Sequence, residues 1–191
     1  LDECPRSALD SDTVLYMNNP EVTDGYALDV ICNEEGRGRV IDVDGRPVTT
    51  GNDGWIFVLR DNVMYGAQKI TSISGQSKQR FHHSSFFGGK AVSAAGIIIT
   101  DGEGYFIRLY PHSGHYRPGE SHMQRMLFFL HRKGVDLRTF EMDTQQFRHV
   151  SREKETGKGK GKENKDGEKK MKKVDSLHME KAVHVACSLA H

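Results

Sequence analysis

Cysteine is scarce in this chain. Its 191 residues hold three cysteines, Cys4, Cys32 and Cys187, with no CxxC spacing among them. An odd, scattered set argues against a disulfide framework and for free thiols in a reducing compartment, so an intracellular location, cytoplasm or nucleus, is expected. Long apolar runs are also missing. The longest, AAGIII, is far short of the about 20 residues that a membrane-spanning helix needs, so no such helix is expected. The opening LDECPRSALD has no basic-then-apolar leader, and no signal peptide is expected in the sequence shown. No G-x-S-x-G elbow is present, which removes the usual device for exposing a nucleophilic serine.

What is present is a strong segregation of charge behind a net value of +1. Residues 1–61 carry 13 Asp/Glu against 5 Lys/Arg, a net of −8. Residues 62–150 carry 11 basic against 6 acidic groups, and residues 151–173 carry 10 against 5, so each is +5. Parts of opposite sign can dock on one another, or the basic part can face an anion.

The texture after Gly25 is that of strands. YALDVIC reads as one, and RVIDVDGRPVTT as two around Asp44-Gly45, a strong hairpin signal. WIFVLR and VMYGAQ flank an Asp61-Asn62 turn, and AVSAAGIIIT and YFIRLYP flank DGEG in the clearest hairpin of the chain. RFHHSSFF reads as a strand or strand end, and VDLRTFEM as a last strand. The residues before Gly25 read as irregular, apart from one short strand at VLYM. One helix is convincing. In GESHMQRMLFFLHRKG, Met123, Met126, Leu127 and Leu130 recur at i, i+3, i+4 and i+7; Gly119 or Ser121 can cap the start and Gly134 stops the helix.

Two stretches are richer in chemistry than a connecting loop requires. PHSGHYRPGE, residues 111–120, packs two histidines, a tyrosine and an arginine into a turn just before the helix. FHHSSFFGG brings His83, Ser84 and Ser85 to a glycine pair that allows close approach. His83, Ser84, Ser85, Ser113, His115, Tyr116 and Arg117 together form a donor-rich set, near a helix N-terminus, suited to a phosphate-bearing anion. The alternative is a latch, with Arg117 paired to a carboxylate of the acidic N-terminal third. His112, His115 and His122 could join His82 and His83, but H-x-x-H in a Pro/Gly loop without an acid or cysteine at helpful spacing is no zinc signature, and no metal ligand is assigned.

FHHSSFFGGKAVSAAG followed by SGHYRP resembles the core of the C-terminal domain of plant IQ-motif calmodulin-binding proteins, a family with fungal and bacterial relatives. The resemblance runs from the WIFVLRDNVMYGAQK hairpin through ESHMQRMLFFLHRKGVDL, residues 54 to 138. It implies a fold and a pocket, with no settled reaction. Lys90 departs from the pattern, as does Phe87-Gly88 in place of a Leu-Ala-like pair. No IQ motif of the Ile-Gln-then-Arg-Gly kind occurs in the 191 residues, so calmodulin binding through an IQ motif does not carry over.

The expected architecture is α+β, a mostly antiparallel sheet packed on one main helix with a disordered basic tail. Its parts are an irregular segment 1–11, a single domain 12–145, a Lys-rich linker 146–173 and a weak amphipathic helix 174–191, with Met179, Val183, Ala186 and Ala190 at helical spacing. The expected function is a module binding a small anionic ligand, with a protein partner as a further expectation, no membrane, and nucleic acid disfavoured by the five acids of the tail. The alternatives are a nucleotide-dependent transferase, since a His, Ser and Tyr array on strands is similar to that of ADP-ribosyl transferases, and a non-catalytic interaction scaffold. Transfer chemistry would draw on Glu120 or Glu141; the sequence names no cofactor.

Residues 151–173 contain one clearly apolar residue, Met171, and so offer nothing to a core. Deleting them is expected to leave the melting temperature within a few degrees. Loss of cooperative unfolding in a calorimetric scan would refute the linker reading.

Overall fold

The computed structural model describes residues 13–70 and 79–143. The expected segment 1–11, the linker 146–173 and the helix 174–191 lie outside them. The described residues contain nine strands: β1 (Thr13–Val14), β2 (Ala27–Cys32), β3 (Gly38–Ile41), β4 (Trp55–Arg60), β5 (Val63–Gln68), β6 (Gln79–Arg80), β7 (Ala94–Thr100), β8 (Phe106–Tyr110) and β9 (Glu141–Met142). Two α-helices join them, α1 (Pro20–Asp24) and α2 (Glu120–Arg132). Seven strands make one sheet in the order β3-β2-β5-β4-β7-β8-β9, antiparallel throughout except for β8 with β9, while β1 and β6 pair separately.

Turn chemistry sets the hairpins. Asp61 and Asn62 stand at φ 50° and 60°, the left-handed pair of a two-residue loop whose twist matches its strands. Between β7 and β8, Oδ1 of Asp101 accepts the N–H groups of Glu103 and Tyr105, both at 2.9 Å, closing the turn with a side chain.

Three sequence expectations are corrected. The strand expected after Asp44-Gly45 shrinks to a single bridge, Ile41 with Pro47, because Pro47 has no N–H to continue a ladder. VDLRTFEM pairs only through Glu141 and Met142; before that, the Asp136 carbonyl accepts from Thr139 N–H and folds a turn. RFHHSSFF stays extended only through Phe81, which bridges Ile70, and His82, and then coils into 3-10 turns over His83–Gly89. The α1 helix was not expected either, although Pro20 at its first position and Asn19, whose Oδ1 accepts the Glu21 N–H at 3.1 Å, are standard start signals.

The sheet is covered on both faces, which explains the unbroken apolar run of β4. On one face Phe57, Leu59, Met64, Ala94, Ile98 and Leu109 pack with Met123, Met126, Leu127 and Leu130 of α2. On the other, Ile56, Val58, Tyr65, Ala67 and Ala95 lie beneath Met17, Phe81 and Phe86. The sheet also curls, since Val40 N–H donates to Gly104 O at 2.8 Å and Arg39 bridges Tyr105, drawing β3 back toward the start of β8. The His-Ser-Ser segment is therefore a roof over the middle of the sheet. No helix among the described residues is long and apolar enough to cross a membrane.

Candidate functional site

The roof segment is anchored by its aromatic and polar groups in turn. Phe86 is fully buried, edge-on to Phe81 (centroids 5.2 Å apart) and Tyr26 (6.1 Å). Ser85, at 0 % exposure, accepts the His82 N–H on its Oγ at 2.9 Å, while its carbonyl accepts Met17 N–H at 2.8 Å. His83 is 5 % exposed, with Nε2 2.8 Å from the carbonyl oxygen of Gly96 on β7. A carbonyl only accepts, so Nε2 carries a proton. Burial pushes the His83 pKa down to about 4 against the help of that hydrogen bond, and Lys69, His112 and His82 add repulsion in the same direction as burial. Ser84 is buried as well.

Beyond Phe86 the chain turns left-handed for three residues, Phe87, Gly88 and Gly89, at φ 55°, 61° and 76°. The glycines suit this conformation and the aromatic residue does not. Phe87 is held by Tyr65, edge-on at 4.8 Å, and by the Arg60 guanidinium, 4.7 Å above its ring. Asn18 lies so close to Gly88 that any side chain there would collide with its Oδ1.

The second motif folds onto this turn. Ser113 is buried; its Oγ accepts Tyr116 N–H at 3.2 Å and its carbonyl accepts Arg117 N–H at 2.9 Å. The Tyr116 hydroxyl donates to Lys90 O at 2.8 Å, and burial raises its pKa, with Arg60 opposing. His115 lies edge-on to Tyr116 at 4.7 Å. Its Nε2 and the Ser84 Cβ would stand 3.6 and 3.8 Å from a side chain placed on Gly89, so the two motifs meet there. Arg117 is exposed at φ 43°. His122 is taken up in helix capping, accepting Gly119 N–H on Nδ1 at 3.1 Å.

The seven residues expected at the site thus come together, but in two roles. His83, Ser84, Ser85 and Ser113 lie beneath the surface, while His115 and Arg117 are exposed and Tyr116 is half-buried. Arg60, Phe87 and Lys90 belong to the same place and were missed; FFGGK, an aromatic before two glycines and a lysine, was the only local signal for Phe87 and Lys90, and Arg60 had none. Among the described residues no carboxylate pairs with Arg117 or Lys90, and no three His, Cys, Asp or Glu side chains are grouped to hold a metal. Of the carboxylates considered for transfer chemistry, Glu141 is paired with Arg108 at 3.0 Å, and Glu120 is exposed on the first turn of α2.

Residues 29–123 match the family model described as the IQ motif-containing protein middle domain. Among curated proteins, the chain is similar to three from Arabidopsis thaliana. IQ domain-containing protein IQM3 is 34% identical over 148 residues, 74% of this chain and 29% of the relative. For IQM5 the identity is 32% over 143 residues, 75% of this chain and 27% of the relative. For IQM2 it is 29% over 148 residues, covering 74% and 22%. The chain thus spans less than a third of the length of these relatives. No solved structure matches it.

Proposed function

Because the chain belongs to the IQ motif-containing protein family through that family's middle domain, we propose that the domain is a binding module which receives an anionic, phosphate-bearing group at the rim where its two motifs meet. The observation that carries this reading is a coincidence of strain and charge. Phe87 and Arg117 are both left-handed non-glycine residues, and the two segments that hold them are tied together by Tyr116 and Lys90. Such backbone costs about 1–3 kcal/mol per residue and persists where surrounding contacts over-determine it, often at binding sites. The strain here presents two cations, Arg117 and Lys90, that no described carboxylate neutralises. His115 and Tyr116 supply further polar edges, and Arg60 adds charge over the Phe87 ring.

The buried hydroxyls and His83 serve this rim from below. The hydrogen bonds of Ser85, His83 and Ser113 run to main chain, which fixes the roof over the sheet rather than reaching a ligand.

Thermal-shift measurements on the full chain with pyrophosphate, ADP-ribose and NAD test the reading. A ligand at a hundredfold excess over its dissociation constant should stabilise the fold by about 2.7 kcal/mol. Arg117→Ala is expected to abolish the shift and Lys90→Ala to weaken it, each changing the unliganded stability by less than about 0.5 kcal/mol, as for exposed side chains without partners. No shift with any of the three anions, or a shift untouched by Arg117→Ala, would overturn the proposal.

A further inference from the structure

A cavity of about 480 Å³ lies beside the 42–46 turn, and none of its lining residues belongs to either motif. It opens where a strand changes partner. β2 pairs with β5 only through Ala27 and Leu28, and from Asp29 onward it pairs with β3. Phe129 of α2 lines the slot together with Ile41, Val43 and Val63. Val43 is 58 % exposed and Val63 37 %, so apolar surface faces outward.

The rim of the slot carries four carboxylates against three cations. Asp29, Asp42 and Lys133 line it, with Asp44 and Asp61 in the adjoining turns. Lys133 pairs with Asp29 at 2.7 Å, Arg46 with Asp42 and Asp44, and Arg60 with Asp61 at 3.4 Å. These pairs are solvent-exposed, hold their partners weakly, and can be exchanged for other cations.

An exposed apolar slot rimmed by carboxylates suits a basic amphipathic helix. A sequence of that pattern stands in KKMKKVDSLHMEKAVHVACSLAH, residues 169–191, with four lysines at its start and Met179, Val183, Ala186 and Ala190 at helical spacing behind them. We propose that this segment docks on the slot as a helix, seating Met179 and Val183 against Val43 and Val63, with the lysines at 169–173 facing Asp42 and Asp44. A helix is about 10 Å across, so it lies over the slot and inserts side chains from one face. The tether permits this. The 25 residues 144–168, if they followed coil statistics, would span about 25–30 Å, on the scale of a domain of this size, and would give a local concentration near the millimolar range. Weak contacts then suffice for occupancy, and any ligand of the rim at Arg117 remains a separate matter.

Photo-cross-linking of the full chain decides the proposal. The benzoyl derivative of phenylalanine is incorporated in place of Val63, the chain is irradiated, and the joined peptides are mapped by mass spectrometry in a mixture of isotopically light and heavy chains. The expected result is cross-links to residues 174–191 of the same chain, reduced about tenfold in a variant carrying Met179→Asp and Val183→Asp, which leaves every described core residue intact. Absence of cross-links to 169–191 would overturn the proposal. So would cross-links that join light to heavy chains, because the slot would then receive a second copy.

Discussion

Truncation of Leu130 to alanine is expected to lower the unfolding free energy by about 2–5 kcal/mol. The side chain is fully buried near the end of α2, in the cluster that joins the helix to Phe57, Ile98 and Leu109 of the sheet. Its removal costs the transfer free energy of the lost carbons and also leaves a void, since neighbours on a hydrogen-bonded sheet have little freedom to collapse into it. Leu127, on the same face, should respond alike. Arg125 is exposed on the opposite side of the helix, and Arg125→Ala should change stability by less than about 0.5 kcal/mol. Urea denaturation of the three variants measures this. A loss below about 0.5 kcal/mol at Leu130 would put that helix face in solvent and remove the packing described above.

Acidification should weaken the fold through His83, and in a window of its own. The folded pKa of about 4 lies below the ordinary histidine value of 6.5. Between those limits the unfolded chain binds the proton that the folded chain refuses, so stability is full above about pH 6.5 and falls as the pH drops toward 4. A gap of this size corresponds to about 3 kcal/mol. The carboxylates of Asp29, Asp101 and Asp136 are held below their usual range by hydrogen bonds to Lys133, to the main chain and Arg37, and to Arg138 respectively, with burial opposing; their loss comes at lower pH. Denaturation curves at pH 7.5, 6, 5 and 4.5 should therefore show a slope that His83→Asn reduces. The variant will be less stable at neutral pH, because its amide reaches Gly96 O less well, so the informative quantity is the change with pH. Equal slopes in both proteins would mean that the imidazole titrates freely and is not held neutral under the roof.

Much of the architecture was legible in local signals. The i, i+3, i+4, i+7 spacing in residues 120–132 located α2 and its buried face, and Asp61-Asn62 located a turn whose left-handed geometry these residues tolerate. The apolar run of β4 reads only as one arm of a hairpin, and its burial on both faces came from the structure. Where expectation and structure part, a nonlocal term decides. RFHHSSFF has the composition of a strand, yet Phe86 gains more by packing edge-on against the stacked rings of Phe81 and Tyr26 than by extending a ladder, and the chain coils at His83 to put it there. In the same way Pro47 ends a hairpin that Asp44-Gly45 announces.

For the site, the sequence by itself determined which residue types would gather, because FHHSSFFGG and SGHYRP carry more donors than a turn can use. It also determined the opposition of charge between the first 61 residues and the basic segments that follow. Only the tertiary structure decided which donors face out. His83, Ser84, Ser85 and Ser113 are turned inward because a roof over a sheet must satisfy its own main chain once water is excluded. Arg117 and Lys90 remain outside because an unpaired charge is costly to bury, and no carboxylate of the described chain comes to meet them.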